Sequence, residues 1–268
     1  MQLDKPFSLR SANQLTNAYI LSLSPLSASN HLVISSSDNT IRLFDVSTHS
    51  VASSIRLTLE KENVIQDVSV IDSLAYVATS TGLVCVDTRT GSIAHTLATE
   101  KPLLSCSASQ EHLACGTELL NHDADLYLFD RRSQSLVTTF SEVHSDDITT
   151  LAFHPTVPTL LTSGSTDGLV VLYNLSTLVE DDVIHQTIKE SSINKISYFG
   201  DRSEYLSVLT HMETLSLWKC EDGSNLASLD VRGEYLPFSL EYLVDTIYSN
   251  ERLYLVAGNQ TYFSLFSA

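Results

Sequence analysis

Three residues in the middle of the chain, His144, Ser163 and Asp167, are the residue types of a hydrolase catalytic triad. In such enzymes a histidine takes the proton of the serine hydroxyl, and an aspartate orients the histidine. The α/β-hydrolases hold their serine on a sharp turn with the pattern Gly-x-Ser-x-Gly. That pattern is absent around Ser163. We therefore predict that these residues are structural and that the protein is not an enzyme.

Metal chemistry is poorly supported by the sequence. His122, Asp123 and Asp125 lie close together, but three hydrophilic residues on one loop seldom form a metal site. The cysteines are scattered singly, without a Cys-x-x-Cys pair, which is typical of small buried residues in a reducing compartment. They are Cys85, Cys106, Cys115 and Cys220. We expect no metal and no cofactor.

The stretch around these polar residues predicts three short strands. Residues 148–153, 159–163 and 169–173 are rich in β-branched and apolar side chains. His154-Pro155 ends the first strand, and Thr166-Asp167-Gly168 forms a tight turn after the second. The third is apolar at every position, so we expect it to be covered on both faces.

The third strand recurs along the chain. Counterparts end at positions 45, 87, 130, 174, 219 and 267, with spacings of 42, 43, 44, 45 and 48 residues. A period of about 40–45 residues is that of a four-stranded propeller blade. The sequence therefore predicts an all-β propeller with six readable blades.

The motif around the second and third strands resembles a WD40 repeat. His144 stands at the Gly-His position, residues 163–168 form the turn, and Tyr173-Asn174 replace the Trp-Asp pair. The resemblance implies a buried polar network of His144, Ser163, Asp167 and Tyr173. A buried aspartate needs such donors.

Residues 114–175, and weaker matches elsewhere, resemble the family of WD-repeat-containing protein eighty-nine. That family carries a further C-terminal repeat without a counterpart here. Two interpretations follow: a six-bladed ring closed by residues 6–11, or a seven-bladed ring whose last repeat is missing. We expect one domain over 1–268, with blades at about 17–60, 63–100, 102–142, 144–190, 192–231 and 236–268.

The net charge is strongly negative. The chain contains 15 basic and 32 acidic residues, which gives a formal net charge of −17 at pH 7. Such a chain repels phosphate backbones and anionic lipid, so we expect neither direct nucleic-acid binding nor membrane binding. The acidity can serve solubility, or it can attract a basic protein partner. We expect the protein in nucleus and cytoplasm.

Acidic residues recur in the loops that form the usual partner face of WD40 proteins. We predict that this face binds a basic segment, such as a histone or ribosomal-protein tail, through charge-assisted bonds. The alternative is that these residues are ordinary solvated turn residues. The predicted contacts are Asp38, Asp123, Asp146, Asp147 and Glu213.

Two arginines give a second hypothesis. Arg89 and Arg132 each lie two residues after the aspartate that ends a blade strand, Asp87 and Asp130. This is similar to the DxR box of WD40 substrate receptors of cullin-RING ubiquitin ligases, in which paired boxes face the adaptor. The competing interpretation is that each arginine pairs locally with its own turn.

An enzymatic propeller would need acids, histidines or metals converging on the innermost strands, and Asp67, Cys106 and Lys195 form no such set.

Overall fold

The structure is a computed structural model that describes residues 18–26, 29–57, 64–178, 180–230, 241–259 and 263–267. Within these ranges the chain forms 23 strands and one helix of four residues. The strands make six antiparallel sheets, so the prediction of an all-β fold with six blades is confirmed. The predicted closing segment, 6–11, lies outside the described residues.

The first three blades each contain four strands that pair in chain order. Their strands are β1 (Ile20–Leu26), β2 (His31–Ser36), β3 (Thr40–Asp45) and β4 (Ser50–Arg56); β5 (Ile65–Ile71), β6 (Leu74–Thr79), β7 (Gly82–Asp87) and β8 (Ser92–Ala98); β9 (Leu103–Ala108), β10 (His112–Thr117), β11 (Ala124–Asp130) and β12 (Leu136–His144).

Blades four and five repeat this order, and three strands of blade six are described. Helix α1 (Glu180–Val183), which the sequence did not predict, precedes the outer strand of blade four. The strands are β13 (Ile148–Phe153), β14 (Leu160–Ser165), β15 (Leu169–Asn174) and β16 (Ile184–Lys189); β17 (Ile193–Phe199), β18 (Tyr205–Thr210), β19 (Thr214–Lys219) and β20 (Asn225–Asp230); β21 (Tyr242–Ser249), β22 (Arg252–Gly258) and β23 (Phe263–Ser267).

The described residues divide into two compact units, one ending at residue 151 and the other starting at residue 152, and the division falls within β13. A single domain over 1–268 stays a prediction. No helix among the described residues is long and apolar enough to cross a membrane.

The middle strands of each blade form the core. Val170, Val171 and Tyr173 of β15 are at most 1% exposed, which confirms that this apolar strand is covered on both faces. Strand β7 is equally buried over Gly82–Val86. Outer strands such as β8 alternate between exposed and partly buried side chains, because only one of their faces meets the core.

The first strand of several blades contains an irregularity at the same place. The register shifts between Ile65 and Asp67 in β5, and between Leu243 and Asp245 in β21. In both cases the aspartate side chain accepts the N–H of the next residue, at 2.8 Å. Asp67 also accepts the N–H of Cys106 at 2.9 Å. A bulge leaves backbone N–H groups without a partner in the neighbouring strand. The Asp67 and Asp245 carboxylates stabilise the fold by accepting these N–H groups.

Candidate protein-binding site

Blade three carries a protruding hairpin turn between β10 and β11, residues 118–123, which we call the rim loop. Leu120 and Asp123 exchange backbone hydrogen bonds at 3.1 and 3.3 Å. Asn121 and His122 between them have φ angles of 57° and 78°. Positive φ at both central residues is the geometry of a tight type I′ turn, in which asparagine is favoured. The tip therefore has the backbone angles of a type I′ turn, although it contains no glycine.

Three further contacts hold the base of the rim loop. The Asp147 carboxylate accepts the N–H of Leu119 at 2.7 Å. The N–H of Glu118 donates to the carbonyl of Pro102 at 2.9 Å. Lys101 Nζ donates to the carbonyl of Asp123 at 2.9 Å. These partners come from the chain on both sides of the loop, so the loop is fixed at each end.

Lys101 also forms an ion pair with Asp125, with Nζ 2.8 Å from Oδ2. The two side chains are only 16% and 10% exposed, so each charge depends on the other for stabilisation. The Tyr127 hydroxyl donates to the same carboxylate at 3.4 Å. Burial, with the Asp125 charge beside it, raises the pKa of Tyr127 to about 12, so it stays a donor at neutral pH.

The rim loop exposes a mixed apolar and acidic surface. Leu119 and Leu120 are 36% and 44% exposed, and the side chains of His122 and Asp123 also lie in solvent. Asp125 turns instead to Lys101, and no cluster of His, Cys, Asp or Glu able to hold a metal occurs among the described residues. Exposed leucines beside a carboxylate, on a loop whose backbone is held, are suited to binding a partner that is both apolar and basic.

The other predicted acidic contacts have structural partners. Asp38 forms a two-bonded ion pair with Arg42, at 2.6 and 3.2 Å, and this hydrogen bonding holds the Asp38 pKa well below its usual range. Asp146 accepts the N–H of Asp147 at 2.9 Å. Partner binding by all five acids stays a prediction. Of the five, Asp123 lies exposed to solvent, and the other four are partly buried.

Glu213 replaces the turn glycine in blade five. Its φ is 60°, whereas Gly168 in the equivalent turn of blade four has 86°. A non-glycine residue in this region is strained. The Glu213 carboxylate accepts the N–H of Leu243, which begins the next blade. This bond offsets part of the strain, and it links blades five and six within their unit.

The structure contains part of the predicted polar network of blade four. The hydroxyls of Ser163 and Tyr173 lie 3.1 Å apart, and burial raises the pKa of Tyr173. Asp167 accepts the N–H of Leu169 at 2.8 Å, within the tight turn. His144 is buried and lies at the end of β12, paired with Ala124. The complete four-residue network stays a prediction.

The predicted arginine pair has two different environments. Arg89 binds Asp87 with Nη2 3.0 Å from Oδ2, the local pairing that the competing interpretation expected. Arg132 is exposed. The neighbouring Arg131, which the sequence did not single out, donates to the Tyr76 hydroxyl at 3.1 Å and to Asp72 at 2.8 Å. Nothing in the sequence distinguishes the two adjacent arginines, because the partners of Arg131 lie more than 50 residues away.

The polar residues of the innermost strands are bound to neighbours. Lys195 pairs with Asp245 at 2.6 Å, and the Cys106 thiol donates to the carbonyl of Tyr76. Burial raises the pKa of Cys85 to about 11 and that of Cys220 to about 12. These two thiols are therefore protonated at neutral pH and are poor nucleophiles.

Comparison with known proteins identifies the repeat. The family described as WD domain, G-beta repeat matches residues 9–45 and 134–174. The chain is 31% identical to the uncharacterized WD repeat-containing protein YNL035C of Saccharomyces cerevisiae, over 82% of this chain and 57% of that protein. It is 26% identical to the WD repeat-containing protein 89 homolog of Dictyostelium discoideum, over 90% of this chain and 67% of that protein.

A third relative is the WD repeat-containing protein GTS1 of Arabidopsis thaliana, 36% identical over 49% of this chain and 36% of that protein. The chain thus spans between about one third and two thirds of the length of these relatives. Six antiparallel blades, matched repeats and relatives named for the same repeat agree with one another. The chain carries WD40 repeats within six antiparallel β-sheet blades, and over most of its length it is similar to the WD repeat-containing protein 89 homolog of Dictyostelium discoideum.

Proposed function

We propose that this protein is a non-catalytic interaction scaffold that binds a basic protein partner at the rim loop. The observation that carries the proposal is the exposure of Leu119 and Leu120 on a turn fixed by Asp147 and Lys101. Binding to a fixed surface costs less conformational entropy than binding to a mobile loop. Two adjacent apolar side chains then supply an anchor.

Electrostatics favours a basic partner. The chain carries a net charge of −17, and Asp123 lies in solvent beside the leucines. A field of this sign accelerates encounter with cationic proteins, and the acceleration falls as salt is added. A lysine- and arginine-rich segment with apolar residues, such as a histone or ribosomal-protein tail, has the matching chemistry.

We further propose that the protein acts in nucleus and cytoplasm. All four cysteines are free thiols, and three of them are buried. Free thiols persist in reducing compartments, which include both of these. Imaging of the tagged full-length protein tests this assignment, and exclusive location in a secretory compartment would contradict it.

Proximity labelling in cells tests the binding proposal. The rim variant combines Leu119→Ser, Leu120→Ser and Asp123→Lys, which change exposed side chains and leave Asp147 and Lys101 in place. A matched control, Leu136→Ser, Val137→Ser and Glu111→Lys, changes two exposed apolar residues and one exposed acid elsewhere in blade three. We expect basic proteins among the labelled neighbours of the wild type and the control, and their loss with the rim variant. Equal labelling by all three would contradict the proposal.

The same experiment examines the alternative function, a substrate receptor of a cullin-RING ligase. The exposure of Arg132 favours it, because an adaptor could reach this side chain. The local pairing of Arg89 with Asp87 does not favour the receptor function, because this arginine is already bound to its own turn. Labelled cullin components that disappear with Arg89→Ala and Arg132→Ala, but remain with the rim variant, would support the receptor and displace the scaffold proposal.

A further inference from the structure

A cleft of about 720 Å³ lies between blades four and five, within the unit that contains both. Its lining includes Leu161, Leu172 and Tyr173, which are at most 6% exposed. A volume of roughly 300–1,000 Å³ with apolar walls is typical of ligand-binding pockets. The cleft is separate from the rim loop and contains none of the residues of the proposed binding surface.

The walls of the cleft are held by specific contacts. The His154 and Tyr198 rings meet edge to face, with centroids 4.9 Å apart. The Tyr198 hydroxyl is 2.5 Å from that of Thr162, and His154 Nδ1 accepts the N–H of Val157 at 3.1 Å. Each ring therefore has contacts on more than one side. These contacts restrain two rings of the cleft wall, and a restrained wall lowers the cost of ordering on binding.

The mouth of the cleft combines an exposed apolar residue with an excess of acids. Val157 is 39% exposed at the opening. The charged residues of the lining are three acids and two cations: Asp201, Glu204 and Glu221, with Arg202 and Lys219. Lys219 Nζ is already paired with Glu221 at 2.9 Å and is 3.5 Å from Asp222, which adds another negative charge at the edge.

We propose that this cleft binds a peptide segment of a partner protein that carries a large apolar side chain with basic residues beside it. The volume exceeds that of one side chain, so adjacent backbone enters as well. The acidic edge and the net charge of −17 favour lysine or arginine as neighbours of the anchor. The basic character of the partner rests on the proposed function, whereas the apolar anchor rests on the cavity.

Fluorescence anisotropy with labelled synthetic peptides tests this inference on the full chain. The probe has one central phenylalanine with lysines on both sides. Two companion peptides replace the phenylalanine by alanine or the lysines by glutamate. We expect the first peptide to bind and each companion to bind at least about tenfold more weakly, because each loses one part of the recognition. Failure of the first peptide to bind, or tighter binding of the glutamate peptide, would overturn the inference.

Variants locate the binding in the cleft. Val157→Tyr fills the mouth, and Glu221→Lys reverses a charge whose side chain is 79% exposed. Leu178→Tyr, at another exposed apolar position of blade four, is the matched control. We expect the first two to weaken binding about tenfold and fivefold and the control to leave it unchanged. Equal affinity of wild type and Val157→Tyr would overturn the assignment.

Two checks keep the result interpretable. The single tryptophan, Trp218, packs in the same cluster as Tyr198 and Cys220 of the cleft. Its fluorescence should therefore change when the peptide binds. The fluorescence of each free variant also reports whether that variant is folded. The rim variant should bind the peptide as the wild type does. Peptide binding that the rim variant loses and Val157→Tyr retains would contradict the cleft while supporting the proposed function.

Discussion

The rim loop of blade three and the cleft of blades four and five are built in opposite ways. In the rim loop the polar groups of Asp147 and Lys101 hold the backbone, and apolar leucines are left in solvent. In the cleft the apolar side chains form the floor, and charged groups stand at the edge. In the rim loop the residues available to a partner are therefore ones that the fold does not need, whereas the floor of the cleft also belongs to the core.

The ion pairs of the two surfaces should differ most in their effect on stability. Lys101→Ala leaves the nearly buried Asp125 carboxylate without its cation, and we expect a loss of about 3 kcal/mol in the free energy of unfolding. Lys219→Ala removes an exposed pair at the cleft edge, which should leave the free energy of unfolding almost unchanged. Urea denaturation measures the stability of both variants. Similar losses would contradict the claim that burial decides how much each ion pair contributes.

A buried hydrogen bond joins Tyr173 of the cleft floor to Ser163. Tyr173→Phe leaves the Ser163 hydroxyl without that partner, so we expect a loss of about 1–2 kcal/mol by urea denaturation. Tyr242→Phe is the control, because its hydroxyl bonds to the Asn259 carbonyl at an exposed position and should matter by less than about 0.5 kcal/mol. An equally small loss of stability in Tyr173→Phe and in the control would show that the Ser163–Tyr173 hydrogen bond does not stabilise the fold.

Asp147, which holds the rim loop, and Asp123, which lies on it, should differ clearly in their effect on the free energy of unfolding. Asp147→Ala removes the acceptor of the Leu119 N–H, and we expect a loss of about 1 kcal/mol with faster hydrogen exchange at that amide. Asp123→Ala changes an exposed side chain and should alter stability by less than about 0.5 kcal/mol. Protection at Leu119 that survives Asp147→Ala would show that the loop is held by other contacts.

A pH dependence of stability should arise from blade one. The Arg42 pair lowers the Asp38 pKa in the folded state, so its stabilisation is present above the usual aspartate pKa of about 4 and is lost as pH falls toward the lowered value. We expect Asp38→Asn to remove about 1 kcal/mol at pH 7 and to flatten the loss of stability on acidification below about pH 4. An unchanged acid profile would contradict the pairing.

Much of the fold was predictable from the sequence because blades repeat. The apolar run of β15 and the spacing of the strands that end at Asp45, Asp87 and Asp130 indicated where each third strand lies. The predicted ends of the third strands, at positions 45, 87, 130, 174, 219 and 267, match the last residues of β3, β7, β11, β15, β19 and β23. These features depend on local patterns, which a single sequence records.

The site was less predictable because its contacts join distant residues. Lys101 reaches Asp123 across 22 positions, and Asp147 reaches Leu119 across 28. The sequence indicated acidic loops, yet it could not show which acids are bound to a neighbouring backbone. Glu213 illustrates this, since it was predicted to contact a partner and its carboxylate also accepts the N–H of Leu243, 30 residues away. Its partner binding stays a prediction.

The most direct test of the account is the affinity of one basic neighbour, identified by proximity labelling and purified, for three forms of the full chain. Isothermal titration calorimetry should give at least about tenfold weaker binding to the rim variant than to the wild type, since two apolar anchors and one charge are lost. The matched control should bind as the wild type does. Equal affinity of the wild type and the rim variant would contradict the claim that exposed residues of the rim loop recognise the partner.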